Sequence, residues 1–142
     1  MKTFAIAASA AALILSAAGA ALAHEPTSVT FEFETGERGG AVMVALFDSE
    51  AGYEGSRPVG AQTVSVSGRI TRVTFEGLAP GDYAMKAFHD VDGDGEMDSN
   101  PFGMPTEPYA FSNNAVGNMG PARWDRARFE VAGPTVQTIS IR

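Results

Sequence analysis

Carboxylates recur at alternate positions in Asp90-Val91-Asp92-Gly93-Asp94-Gly95-Glu96-Met97-Asp98, falling at relative positions 1, 3, 5 and 9 with glycine at 6. That is the first part of an EF-hand-type calcium loop. Calcium is a hard ion that takes six to eight oxygens, and alternate Asp side chains in a tightly turning loop converge on one point. Gly95 permits the sharp reversal. The expected ligands are the side chains of Asp90, Asp92, Asp94 and Asp98, the last directly or through water, and the backbone carbonyl of Glu96. Met97 is expected to anchor the loop to the core. At position 12 the bidentate Glu of a full EF-hand is replaced by Pro101, and no helical pattern flanks the loop, so this is not an EF-hand domain. An oxygen from Asn100 or Glu107 is needed to complete the site, and the affinity expected is on the order of 10⁻⁴ to 10⁻³ M. The competing reading is a solvated acidic turn. Five carboxylates within nine residues repel one another, and a cation is the simplest remedy.

Other chemistry has thinner support. The two histidines are His24 and His89. Cleavage after Ala23 would make His24 the amino terminus, whose amine and imidazole, with a second imidazole from His89, form a copper-binding set; nothing in the sequence brings the two together. The chain has no Cys and no G-x-S-x-G elbow. A two-carboxylate glycosidase site is disfavoured because the Asp residues share one loop instead of flanking a cleft. The enzyme alternative is a metal-dependent hydrolytic or carbohydrate-directed site in which the loop meets the Thr106 to Asn114 segment, with Tyr109 and Phe111 as the aromatics most suited to a ligand.

The elements that must position the loop are strands. Val29, Phe31 and Phe33 alternate with Thr30, Glu32 and Glu34, and the run ends in glycines. Ala41 to Phe47 is apolar on both faces, which predicts a central strand covered on both sides. Thr63 to Ser67 and Val73 to Phe75 read as a hairpin, with Ile70 out of phase, so that a bulge or an outward Ile is required. Pro80-Gly81 makes a turn into a strand from Tyr83 to His89. Ser99 to Arg126 has no strong period and either is a functional loop packed by its own apolar residues or hides a short strand around Tyr109 to Phe111. Phe129 to Val131 and Ile139 to Ile141 close the chain. About seven short strands at turn spacings predict an all-β, single-domain β-sandwich with immunoglobulin-like or transthyretin-like connections, a small barrel being the runner-up. Phe31, Phe33, Val42, Val44, Val64, Val66, Phe75, Phe88, Phe129, Ile139 and Ile141 are expected in its core.

Lys2 followed by an uncharged Ala-rich run from Phe4 to Leu22, ending in Ala21-Leu22-Ala23, reads as a signal peptide over residues 1–23, leaving residues 24–142 as one domain. Export to the periplasm is expected, with secretion or the cell surface as alternatives, and no integral membrane segment is expected after cleavage. With Lys2 gone from the 10 basic residues, 17 acidic ones leave a net charge of −8. Nucleic acid is excluded as a partner, since its binding needs clustered basic side chains. Without Cys there are no disulfides, and a structural metal is a natural substitute.

The run Gly81-Asp82-Tyr83-Ala84 into Phe88-His89-Asp90, then Asp92-Gly93-Asp94-Gly95, Asp98, Gly103-Met104-Pro105-Thr106-Glu107 and Phe111-Ser112-Asn113-Asn114-Ala115, resembles the exported bacterial "domain of unknown function 2141" family. The resemblance covers almost the whole of residues 24–142. It implies a signal peptide and a β-sandwich, implies no established activity, and directs attention to Gly103 to Ala115. The function expected is a calcium-stabilised β-sandwich with a binding or structural role toward an extracytoplasmic ligand or protein, the enzyme being the alternative.

Overall fold

The computed structural model describes residues 27–142. Eight strands form two sheets: β1 (Thr27–Glu34), β2 (Ala41–Phe47), β3 (Gly60–Ser65), β4 (Ile70–Leu78), β5 (Gly81–Asp90), β6 (Tyr109–Phe111), β7 (Phe129–Val131) and β8 (Thr135–Ser140). The smaller sheet has the order β4-β1-β8, with β1 antiparallel to β4 and parallel to β8. The larger has the order β3-β2-β5-β6, and β7 joins the same edge of β5 as β6, pairing at Gly81 to Tyr83 where β6 pairs at Lys86 to Phe88. The protein is a single-domain all-β sandwich, and one strand more than the periodicity predicts.

The inner faces follow from the alternation of side chains along each strand. Val29, Phe31 and Phe33 of β1 meet Val42, Val44 and Leu46 of β2 and Met85 of β5, with Val73, Phe75, Val131 and Ile139 around them. Phe31 takes edge-on contacts from Phe75 and Phe129, with centroids 6.4 and 5.9 Å away. Val64, Val66 and Phe129 are only partly buried at the margins of this core. Ile70 points outward, as its phase requires, while Thr71 behind it is buried.

Phe88 departs from expectation. In β5 the inward residues are Tyr83, Met85 and Ala87, so Phe88 is half-buried on the outer face. The outer face of the larger sheet is itself apolar, and a strand covered on both sides gives no phase to choose by. One end of that face carries a second core of Phe47, Tyr53, Ala84, Phe111, Ala122 and Ala127. Two short helices build it: α1 (Glu50–Glu54), capped by the Ser49 hydroxyl accepting from the Gly52 N–H at 3.1 Å, and α2 (Trp124–Ala127). Tyr53 packs between Phe47 and Trp124 and donates its hydroxyl to the Ala122 carbonyl at 2.7 Å. Burial pushes its phenol up to about 12.

Candidate metal centre

The acidic loop leaves the end of β5 and folds against the start of β2. His89 is buried, and its Nε2–H donates to the Gly39 carbonyl at 2.6 Å. Gly40, at φ 88°, packs so closely on the Asp90 carbonyl that a Cβ would collide with it. The Gly39-Gly40 turn thus clamps the root of the loop. Gly95 has φ 82°, the left-handed conformation that the loop pattern assigns to it.

Asp90 is buried and acts as the hub: one carboxylate oxygen accepts from the Gly93 N–H at 3.0 Å, the other from the Gly95 N–H at 2.8 Å. Asp92 accepts from the Asp94 N–H at 3.1 Å, and Asp94 from the Glu96 N–H at 2.8 Å. Glu107 is also buried, and spans the two ends of the loop by accepting from the Val91 N–H at 2.9 Å and the Asp98 N–H at 3.3 Å. The Thr106 N–H donates to the Asp98 carbonyl, and a bridge between Ser99 and Pro105 closes a hairpin behind the loop.

Carboxylate oxygens of Asp90, Asp92 and Glu107 lie within 4.8 Å of one another, as do those of Asp92, Asp94 and Asp98. Oxygens bound to one calcium at about 2.3–2.6 Å are at most about 5 Å apart, so each set is compatible with a single ion. Asp92 belongs to both. Asp90 is grouped with Asp92 and with Glu107 from the next segment, and Asp94 and Asp98 are grouped with Asp92. The Glu96 side chain is in neither set. Asn100 is used elsewhere: its Oδ1 accepts from the Phe102 and Met104 N–H groups at 2.9 and 3.0 Å and shapes the hairpin tip. Met97 lies on the outer face of the larger sheet and does not reach the sandwich core.

The crowding shows in the carboxyls. Burial is the largest single influence on Asp90 and acts upward. Together, hydrogen bonds from the Gly95 amide, from the Asp92 carboxyl when it is protonated, and from the Gly93 and Asp94 amides outweigh it and hold the Asp90 pKa below its ordinary value. For Asp92 the Asp94 amide is the largest influence and acts downward, but burial, the bond to Asp90 and the charges of Asp94 and Asp98 together raise the pKa.

Within Gly103 to Ala115, the segment to which the family resemblance directs attention, Ser112 to Asn114 ties several elements together. Ser112 is fully buried, accepts from the Met85 N–H at 2.9 Å and donates to the Ala127 carbonyl. Asn113 and Asn114 have φ of 60° and 51°, a conformation Asn tolerates better than most residues. The Asn113 amide donates to the Arg126 and Arg128 carbonyls and accepts from Gln137 Nε2. Asn114 pairs with the free edge of β8, its Nδ2 donating to the Thr138 carbonyl at 3.0 Å and its Oδ1 accepting from the Ser140 N–H at 2.8 Å. The side-chain amides of Asn113 and Asn114, within the segment of the enzyme alternative, are thus engaged with backbone and with Gln137. Of the copper set, His24 lies outside the described residues and His89 Nε2 is bound to Gly39.

Fold and loop together define a small β-sandwich carrying an acidic DxDxDG hairpin at one end of its larger sheet. The chain belongs to the family described as "Uncharacterized protein conserved in bacteria (DUF2141)", which matches residues 34–140. No curated protein and no solved structure matches it. Among the described residues, no helix is long and apolar enough to cross a membrane.

Proposed function

We propose that this protein is an exported β-sandwich module, periplasmic or displayed at the cell surface, whose acidic loop takes calcium as a structural ion and whose role is binding, not catalysis. The observation that carries the reading is the meeting of five carboxylates, Asp90, Asp92, Asp94, Asp98 and Glu107, in two overlapping sets that share Asp92. Hard carboxylate oxygens on a flexible loop suit calcium better than magnesium, which demands a tighter octahedron and keeps its waters. Glu107 supplies what the loop lacks at Pro101. Calcium joins the side chains of one hairpin to a residue beyond it, so its effect is on stability: a ligand that binds only the native state stabilises it by RT ln(1 + [L]/Kd). At ten times Kd this is about 1.4 kcal/mol, a rise of a few degrees in Tm.

The test is thermal unfolding of the mature domain in chelator, in millimolar calcium and in millimolar magnesium, with calorimetry of calcium binding alongside. A calcium-specific, chelator-reversible rise in Tm is expected. An unchanged melting curve with no binding heat reduces the loop to a solvated acidic turn. Mass spectrometry of the protein from its native compartment is expected to find His24 at the amino terminus; an intact Met1 in a membrane fraction overturns export.

A further inference from the structure

A groove of about 890 Å³ crosses the outer face of the larger sheet, walled by the Met97 to Pro105 hairpin on one side and the Gly117 to Pro121 segment on the other. Its volume lies within the ~300–1,000 Å³ range of small-molecule pockets, which are mostly apolar with a few placed polar groups. Of the six methionines in the chain, Met43, Met97, Met104 and Met119 all line it. Unbranched thioether side chains adapt to apolar surfaces of varied shape. Phe88, Tyr109 and Phe111 add aromatic faces. The rims are unusually apolar for a surface: Met104 is 63% exposed, Met119 is fully exposed, and Phe102 beside them is 89% exposed.

Lys86 is the one charged side chain among the lining residues. Its ammonium stands 4.1 Å from the Tyr53 ring centroid and 5.1 Å from that of Phe47, and donates to the Tyr53 carbonyl at 2.6 Å. Among the described residues no carboxylate lies within ion-pair distance of it, so two of its three N–H donors have no protein acceptor. Burial lowers its pKa, against the attraction of the more distant Glu54. The fold has therefore already stripped this cation of part of its water in an apolar setting, where a pairing anion is worth more than at an exposed site.

We infer that this groove binds an amphiphile with an apolar body and a single anionic group, the body lying against the methionines and aromatics and the anion meeting Lys86. This rests on the reading of the chain as a binding module, supplies the ligand class that reading lacks, and does not require that the loop take calcium. The mature domain is titrated calorimetrically, in calcium and again in chelator, with dodecanoate, dodecanol and dodecyltrimethylammonium below their aggregation limits. Dodecanoate is expected to bind saturably at one site, about tenfold or more tighter than dodecanol, the scale of one charge-assisted hydrogen bond. The cationic analogue is expected to bind more weakly still. Lys86→Met is expected to keep dodecanol binding and abolish the preference for dodecanoate. Met119→Glu, at a fully exposed position that leaves the fold intact, is expected to weaken dodecanoate and dodecanol alike. The inference is overturned by an absence of saturable dodecanoate binding, by equal binding of the cationic analogue, by dodecanoate binding unaffected in Met119→Glu, or by a groove closed in a stable dimer that dodecanoate does not compete for. A melting curve that ignores calcium while dodecanoate still binds defeats the metal reading alone.

Discussion

Asp92 and Glu107 do different work although both are carboxylates at the same centre. Asp92 is exposed and shared between the two sets, so its charge is wanted only when a cation is present. Asp92→Asn and Asp94→Asn retain an oxygen and remove a charge. Each is expected to reduce the calcium-induced rise in Tm while leaving the apo protein as stable as before or slightly more so, by relieving repulsion; paired melting curves in calcium and chelator check this. Glu107 is buried and carries two backbone N–H groups. Glu107→Ala orphans both, and a loss of about 1–3 kcal/mol is expected even in chelator, read from denaturant unfolding. The pH dependence separates the carboxyls again. Asp90, held below its ordinary pKa, contributes stability that is present above the unfolded value and lost as pH falls through the folded one. Asp92, held above its ordinary pKa, works in the opposite sense: its contribution is present below the unfolded value and lost as pH rises through the folded one. If the loop takes calcium as proposed, protons are expected to compete with it first at Asp92. The calcium-induced rise in Tm is expected to shrink on acidification while an isolated Asp would still be ionised, which a series of melting curves from neutral to acid conditions measures.

Among the elements, the turn from Ser112 to Asn114 has the most to hold and the least to announce it. Ser112→Ala removes the partner of the Met85 N–H and the Ala127 carbonyl in a fully buried place, and a loss of about 1–3 kcal/mol is expected from denaturant melts. Asn114→Ala leaves the Thr138 carbonyl and Ser140 N–H of β8 open, and an unpaired strand edge invites pairing with another chain. Faster aggregation on heating, followed by light scattering, is the expected outcome. Strands with one wet face were legible in the sequence because their period of two is unambiguous: β1, β4 and β8 read as strands, as did the two-faced β2. The hairpin expected of Thr63 to Ser67 with Val73 to Phe75 does not form: β3 pairs with β2 and β4 with β1, in different sheets, because alternation marks a strand without saying which neighbour it pairs with. The DxDxDG spacing marked four Asp residues that the fold gathers into two overlapping sets sharing Asp92. Phe88 was misassigned because β5 has apolar residues on both faces. The helices α1 and α2 span too few residues to show a helical period. Glu107 had only proximity to recommend it, and the role of Asn114 had no signal at all, since an amide that imitates a strand's backbone leaves no trace in hydropathy.

At the scale of the whole molecule, the two sheets are joined beyond the core. The Tyr109 N–H donates to the Arg142 carbonyl at 3.0 Å and the Arg142 N–H returns to the Tyr109 carbonyl, tying the end of the smaller sheet to the edge strand of the larger. The acidic loop lies at one end of β5, while the second core with α1 and α2 covers the opposite end of its outer face. The groove occupies the stretch of sheet between them, with the hairpin that follows the acidic loop as one of its walls. Ordering of that hairpin by calcium would steady a wall of the groove. Dodecanoate is therefore expected to bind more tightly in calcium than in chelator, by a factor that the two calorimetric titrations give directly, and by linkage calcium is expected to bind more tightly in dodecanoate by the same factor.

The parallel pairing of β1 with β8 also sets an order of events. Glu34 and Ser140 stand opposite each other although 106 residues separate them, and β1 lies between β4 and β8 in the smaller sheet. A chain appearing from its amino end makes the first strand at once and must keep Val29, Phe31 and Phe33 waiting until the last strand arrives. Closing so long a loop has an entropic cost before any contact repays it, so folding is expected in the millisecond-to-second range typical of sandwiches dominated by distant pairings. Stopped-flow refolding measures the rate. A chain ending at Gly133 lacks β8 and leaves one side of β1 uncovered, and it is expected to remain unfolded by circular dichroism; until its final residues are free, the protein has an incomplete sheet and a nearly complete set of hydrophobic side chains with nowhere to go.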